Sequence, residues 1–147
     1  MERCNGQMLE AYLTTYGWAY RASGDQEWQS GFEGEECSFP LHISLNETWI
    51  SFRVQPFIAI KIDWECWPEI SRWLHDLNHS SPLVKLSINA EGYIELNLDL
   101  LNQGLNYEGF SVAIGLIGYY ADLFYDDILS HLDTIGFRYS ESLGLLT

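Results

Sequence analysis

Apolar residues recur along this chain with two different periods. Met8, Leu9, Tyr12, Leu13 and Tyr16 follow helical spacing, and Gly17 stops that helix. Trp18–Arg21 and Glu27–Glu33 read as extended, separated by the turn-prone SGDQ. The period then becomes two. Phe39, Leu41 and Ile43, followed by Ile50, Phe52 and Val54, form a half-buried antiparallel pair. With Asn46-Glu47 as the turn, Ile43 faces Ile50, Leu41 faces Phe52 and Phe39 faces Val54. His42, Ser44, Trp49, Ser51 and Arg53 take the other face.

A second hairpin follows the same logic. Val84, Leu86 and Ile88 alternate with Lys85, Ser87 and Asn89. Ile94, Leu96, Leu98 and Leu100 alternate with Glu95, Asn97 and Asp99. The link NAEG suits a type I turn with Gly92 left-handed. Ile88 then opposes Ile94, Leu86 opposes Leu96, and Lys85 sits among Glu95, Asn97 and Asp99. Between the hairpins, CWPEISRWLHDLN is a short helix. Pro68 and Glu69 fall at its start, and Ile70, Trp73, Leu74 and Leu77 form its apolar face. It ends at Asn78.

The last element, Phe110–Leu129, is a long helix with too much apolar surface. At about 100° per residue, Phe110, Ala113, Ile114, Ile117, Ala121, Phe124 and Ile128 share one stripe. Val112, Leu116, Tyr119, Tyr120 and Leu123 make a second stripe beside it. Only Ser111, Gly115, Gly118, Asp122 and Asp126 form a polar or small strip. A helix on one core needs an apolar arc little wider than about 100°, so the second stripe needs its own cover. The two glycines predict close approach of another element. Helices between runs of hairpin-joined strands predict an α+β fold: an antiparallel sheet of about five strands, with helices packed on one face only. The 147 residues read as a single domain, 1–147, with a short C-terminal tail from about 136.

Composition narrows the partners. The net charge of −14 opposes binding to nucleic acid or to an anionic membrane, and it favours a basic partner. No apolar run approaches membrane-spanning length, so no membrane insertion is expected. Cys4, Cys37 and Cys66 lie far apart without a CxxC pair, which suits a reducing, cytoplasmic setting. The sequons at Asn46 and Asn78 are then chance matches.

Few residues suggest chemistry. His75 and His79 have the spacing of two metal ligands on a helix, but the rest of the HExxH pattern is missing. They read as a solvated helix end, and neither a metal nor another cofactor is expected. Asp122, Asp126, Asp127, His131 and Asp133 are denser. Asp122 and Asp126 are helical neighbours whose repulsion a cation or a basic partner would relieve. There is no GxSxG elbow, P-loop or GxGxxG, and no residue stands out as catalytic. Trp49, on a polar strand face, is the aromatic best placed for binding.

Four stretches carry a family resemblance. They are YLTTYGWAY, GFEGEECSFPLHISLNETWISFRV, CWPEISRWLHDLNHSSPLVKLSINAEGYIELNLDL and YEGFSVAIGLIGYYADLFYDDI. Together they span roughly Leu9–Leu132. The chain resembles the YbjN-like family, with its type III secretion chaperone-like fold, and most resembles cyanobacterial and plastid members. Secretion chaperones of this fold dimerise and hold extended client segments in apolar grooves. YbjN-like proteins are described as sensory transduction regulators. The resemblance therefore implies a non-enzymatic module, chaperone-like or adaptor, with a protein client and a two-fold homodimer. No secretion context is recognisable in this chain, and the family has no catalytic residue to carry over. Val112, Leu116, Tyr119, Tyr120, Leu123 and Trp49 are the expected partner or dimer surface. Asp122 and Asp126 are the expected contact for a cation or basic partner. The first helix and Leu143, Leu145 and Leu146 of the tail are the competing cover for the long helix. The alternative function is a small-ligand or divalent-metal-dependent enzyme using the acidic strip.

Overall fold

The computed structural model describes residues 2–134. Helix α1 (Gly6–Tyr16) starts where the Asn5 side chain accepts from the Met8 amide at 2.8 Å. It stops at Gly17, whose φ of 99° only glycine adopts readily. Strands β1 (Tyr20–Gly24), β2 (Glu27–Glu33), β3 (Ser38–Leu45) and β4 (Trp49–Val54) follow. Then come α2 (Trp67–His79), β5 (Lys85–Ile88), β6 (Ile94–Leu101) and α3 (Tyr107–Thr134). The six strands form one antiparallel sheet in the order β1-β2-β3-β4-β6-β5. The expected α+β fold is present, with one strand more than expected.

Burial alternates along β3 and β4. Leu41, Ile43, Ile50, Phe52 and Val54 are buried while His42, Ser44, Ser51 and Arg53 are partly exposed. One sheet face is therefore dry, and the helices cover it. Phe52 meets Phe110 of α3 with ring centroids 6.1 Å apart. Tyr12 of α1 meets the same ring at 5.5 Å. Trp73 of α2 stacks on His131 of α3 at 4.0 Å, which takes His131 out of the acidic group. On the open face, Arg53 donates to Asp99 at 2.9 Å and His42 lies 3.2 Å from Glu27.

The second hairpin has the expected register: Ile88 pairs with Ile94 and Leu86 with Leu96. Gly92 has φ 93°, as its turn requires. The first hairpin is displaced. Leu45 pairs with Ile50, Ile43 with Phe52 and Leu41 with Val54. The turn is Glu47-Thr48, one position later than expected, because the Asn46 side chain accepts from both the Thr48 and the Trp49 amide. Moving the turn centre by one residue moves every partner by two, so each side chain keeps its face.

Two other expectations change, and one stretch is new. Lys85 does not pair with the acids of β6; its ammonium donates to the carbonyls of Asn78 and Ser81 at the end of α2. The Asn78 carbonyl belongs to the last turn of α2, at the negative end of the helix dipole, and Ser81 lies just beyond the helix. Helix α2 runs through His79 rather than ending at Asn78. A short 3-10 turn, Trp64–Cys66, leads into α2; between β4 and that turn the chain is neither helix nor strand, yet Phe57, Ile58, Ile60 and Ile62 are buried. Phe57 and Ile58 donate to the Ile94 carbonyl and Ile62 to that of Gly92, so this strap closes the core beside the second hairpin.

Candidate functional site

The first stripe of α3 is the core stripe: Phe110, Ala113, Ile114, Ile117, Ala121, Phe124 and Ile128 are all buried. The second stripe divides. Leu116 and Tyr120 are half-buried against the core. Val112, Tyr119 and Leu123 are 57%, 62% and 44% exposed. Helix α1 packs against the N-terminal part of α3, through Tyr12 on Tyr107 and Tyr16 on Phe110, and leaves this surface open. The tail from about 136 lies outside the described residues.

A groove of about 590 Å³ runs beside this surface, between the end of α1 and α3. Its wall is aromatic. Trp18 stacks on Phe32 at 4.9 Å with the rings 5° apart, and Tyr16 meets Trp18 edge-on at 5.4 Å. Gly115 and Gly118 contribute to the groove from α3. Among the described residues, no element makes the expected close approach at these glycines. A β-carbon at Gly118 would meet none of the described residues within 4 Å, and one at Gly115 would only reach the Tyr16 hydroxyl at 4.0 Å.

The acidic residues sit across α3 from this wall. The β2–β3 loop closes with the Gly34 amide donating to the Cys37 carbonyl at 2.8 Å. The Glu35 amide then donates to Asp122 Oδ1 at 2.8 Å, which ties the loop to α3. A β-carbon at Gly34 would lie 2.7 Å from that same oxygen, so the approach requires glycine. Glu36 reaches Asp126. Its carboxyl is held above the ordinary value by a hydrogen bond with Asp126, by desolvation, and by the negative charges of Asp126, Glu35 and Asp122. Glu35, Tyr119, Asp122, Leu123, Asp126 and Asp127 line a notch of about 320 Å³. Asp122 borders both the notch and the groove.

The sequence puts Val112, Tyr119 and Leu123 on an apolar stripe and Asp122 and Asp126 on a separate polar strip; Tyr119, Leu123, Asp122 and Asp126 line one notch, and Val112 does not. Trp49 is elsewhere. It is 43% exposed on the open face of the sheet, opposite Leu101, with the sheet between it and α3. The aromatic wall and the loop Gly34–Cys37 were not foreseen. The only sequence signal for the loop was GEEC between two strands, which says nothing of the helix it would touch.

Chemical groups suited to catalysis are sparse. Burial pushes the Cys4 thiol up to about 11, so it is not a thiolate at neutral pH. His75 and His79 are both exposed on α2. Among the described residues, no group of three or more His, Cys, Asp or Glu side chains could hold a metal ion. Among the same residues, no helix is long and apolar enough to cross a membrane.

No protein-family model matches the sequence. No curated protein matches it either. A solved structure does: the chain is similar to YbjN, a candidate transcription regulator from E. coli. The TM-score is 0.52 and the identity 17%, over 80% of this chain and 89% of that one. The chain thus has a YbjN-like fold.

Proposed function

We propose that this chain is a non-enzymatic, cytoplasmic protein-binding module, chaperone-like or adaptor, acting as one unit over residues 1–147. It holds a client segment on the outer face of α3. The observation that carries this reading is the exposed arc of Val112, Tyr119 and Leu123, whose Tyr119 and Leu123 line a notch that shares Asp122 with the aromatic groove at Trp18 and Phe32. Exposed aromatics beside a groove are the usual anchors of protein recognition. The YbjN-like fold is compatible with a regulatory role for the client complex. The sequence resemblance supports cyanobacterial and plastid proteins as the nearest relatives.

A two-fold homodimer through the same arc is the second reading, since a self-complementary apolar patch suffices for one. The metal-dependent enzyme reading is weaker, because Asp122 already commits one carboxylate oxygen to the Glu35 amide. The test is site-specific photocrosslinking in cells, with a benzoylphenylalanine replacing Tyr119 or, as control, the exposed Arg72 on α2. Crosslinks to another polypeptide from position 119 alone support the client. Crosslinks only between copies support the dimer. Equal yields from both positions refute a binding surface on α3.

A further inference from the structure

We infer that the partner segment docking on α3 is basic and amphipathic, placing apolar side chains on Tyr119, Leu123 and the aromatic groove and a Lys or Arg in the adjoining acidic notch. This rests on the protein-binding reading above and names the partner's chemistry.

The geometry supplies both halves of that pattern side by side. The groove offers a rigid apolar wall, because Trp18 is stacked flat on Phe32. The notch on the other side of Asp122 combines the apolar bodies of Tyr119 and Leu123 with the carboxylates of Glu35, Asp122, Asp126 and Asp127. One segment crossing α3 meets first an apolar site and then a negative one.

The negative charge there has no ion-pair partner among the described residues. Among the described residues, the Arg53–Asp99 and His42–Glu27 pairs both lie on the open face of the sheet. Lys85 is committed to the end of α2. Neither of those ion pairs involves Glu35, Glu36, Asp122, Asp126 or Asp127, and the negative charges of Asp126, Glu35 and Asp122 help to hold the Glu36 carboxyl above its ordinary value. A cationic side chain entering the notch replaces that repulsion with attraction.

Charge also selects among occupants. A second copy brings the same net charge of −14 and no excess of cations. The chain's own residues 135–147 contain one Arg and one Glu, Arg138 and Glu141, and are neutral in sum. Neither neutralises five carboxylates, whereas a basic segment does.

The experiment uses the full chain and three fluorescein-labelled synthetic peptides of equal length. One is a Leu-striped amphipathic helix bearing Lys and Arg. The second keeps the stripe with Gln in place of each cation. The third keeps the cations and scrambles the stripe. Anisotropy should show the first binding at least about tenfold tighter than either other, with its advantage over the Gln peptide lost in high salt. Asp126→Asn with Asp127→Asn should weaken it about tenfold, two exposed charge pairs being worth a few-fold each. Tyr119→Ser should weaken both striped peptides.

Equal binding of the Gln peptide, still sensitive to Tyr119→Ser, overturns the basic-partner inference and leaves the protein-binding reading standing. Binding of basic peptides that ignores Tyr119→Ser overturns both, since it is then bulk attraction to an acidic protein. Sedimentation showing a dimer that Tyr119→Ser dissociates makes a second copy the occupant. Peptide binding only after removal of residues 135–147 makes the tail the occupant. Either result also overturns the inference.

Discussion

Two glycines on the two sides of the Asp122 contact should respond to alanine with opposite signs. At Gly34 the new β-carbon would lie 2.5 Å from Phe39 Cε2, 2.7 Å from Asp122 Oδ1 and 3.0 Å from the Cys37 carbonyl oxygen. The Asp122 carboxylate can turn away, but the Phe39 ring and the Cys37 backbone oxygen cannot retreat cheaply. Phe39 is buried and touches Phe32 and Phe57 at 5.3 Å and Tyr125 at 5.5 Å. The loop must lift instead, which strains the Gly34–Cys37 bond and releases the Glu35 amide from Asp122. Overpacking of this kind costs about 1–3 kcal/mol, and about 2 kcal/mol is expected here because the loop is exposed and can shift in part.

At Gly118 the β-carbon would meet none of the described residues within 4 Å. Alanine in a helix interior is better than glycine by about 0.8–1.0 kcal/mol, so Gly118→Ala should stabilise. Urea unfolding followed by circular dichroism measures both. With an m-value of about 2 kcal/mol/M, Gly34→Ala should lower the midpoint by about 1 M and Gly118→Ala should raise it by about 0.5 M. The loss from Gly34→Ala should shrink in an Asp122→Ala background, because the two changes break one contact. A Gly34→Ala protein within about 0.5 kcal/mol of the parent, the range of featureless surface changes, would refute the close approach. A destabilising Gly118→Ala would show that something covers the groove face of α3.

Three further outcomes follow from single groups. Cys4 is buried with its thiol pushed up to about 11, so a thiol reagent at pH 8 should modify the half-buried Cys37 and Cys66 well before Cys4, and all three together in denaturant. Glu36 binds its proton more tightly in the folded protein than in the unfolded chain, so its contribution to stability is present below the ordinary carboxyl value of 4.5 and is lost as pH rises through the raised one. Glu36→Gln, uncharged at every pH, should remove that acid-side dependence, and an unchanged profile in thermal melts across this range would reject the Glu36–Asp126 bond. Asn78 donates to the Leu86 carbonyl at 2.9 Å and accepts from its amide at 2.6 Å, so Asn78→Ala should cost about 2 kcal/mol for two lost bonds and speed hydrogen exchange at Leu86 without altering exchange in β2.

What the sequence alone determined was parity. Period-two alternation assigned Leu41, Ile43, Ile50 and Phe52 to one sheet face, and all are buried on it. Helical spacing likewise separated the buried Ile114, Ile117 and Phe124 from the exposed Val112, Tyr119 and Leu123. Both are local consequences of backbone geometry, and a slip of one residue would have exposed a whole apolar set. What the sequence could not determine was anything that alternation leaves degenerate. A shift of two residues keeps every face, so contacts at the turn, the Asn46 side chain on the Thr48 and Trp49 amides and Asn102 on the Asn46 and Thr48 carbonyls, fix the first hairpin. Phe57, Ile58, Ile60 and Ile62 are apolar without sustained period, and their place became visible only once the Ile94 and Gly92 carbonyls were there to receive them.

The candidate site divides along the same line. Its half on α3, with Asp122 and Asp126 beside Tyr119 and Leu123, is one helix face and is legible from spacing. Its other half is not. Asp122 is 87 residues from Glu35, and their bond exists because the sheet order carries the β2–β3 loop to the middle of α3. Trp49 looked equivalent to Tyr119 as an exposed aromatic, yet the sheet separates them. Which exposed residues share a surface depends on the packing of elements distant in sequence, and only the tertiary structure sets it.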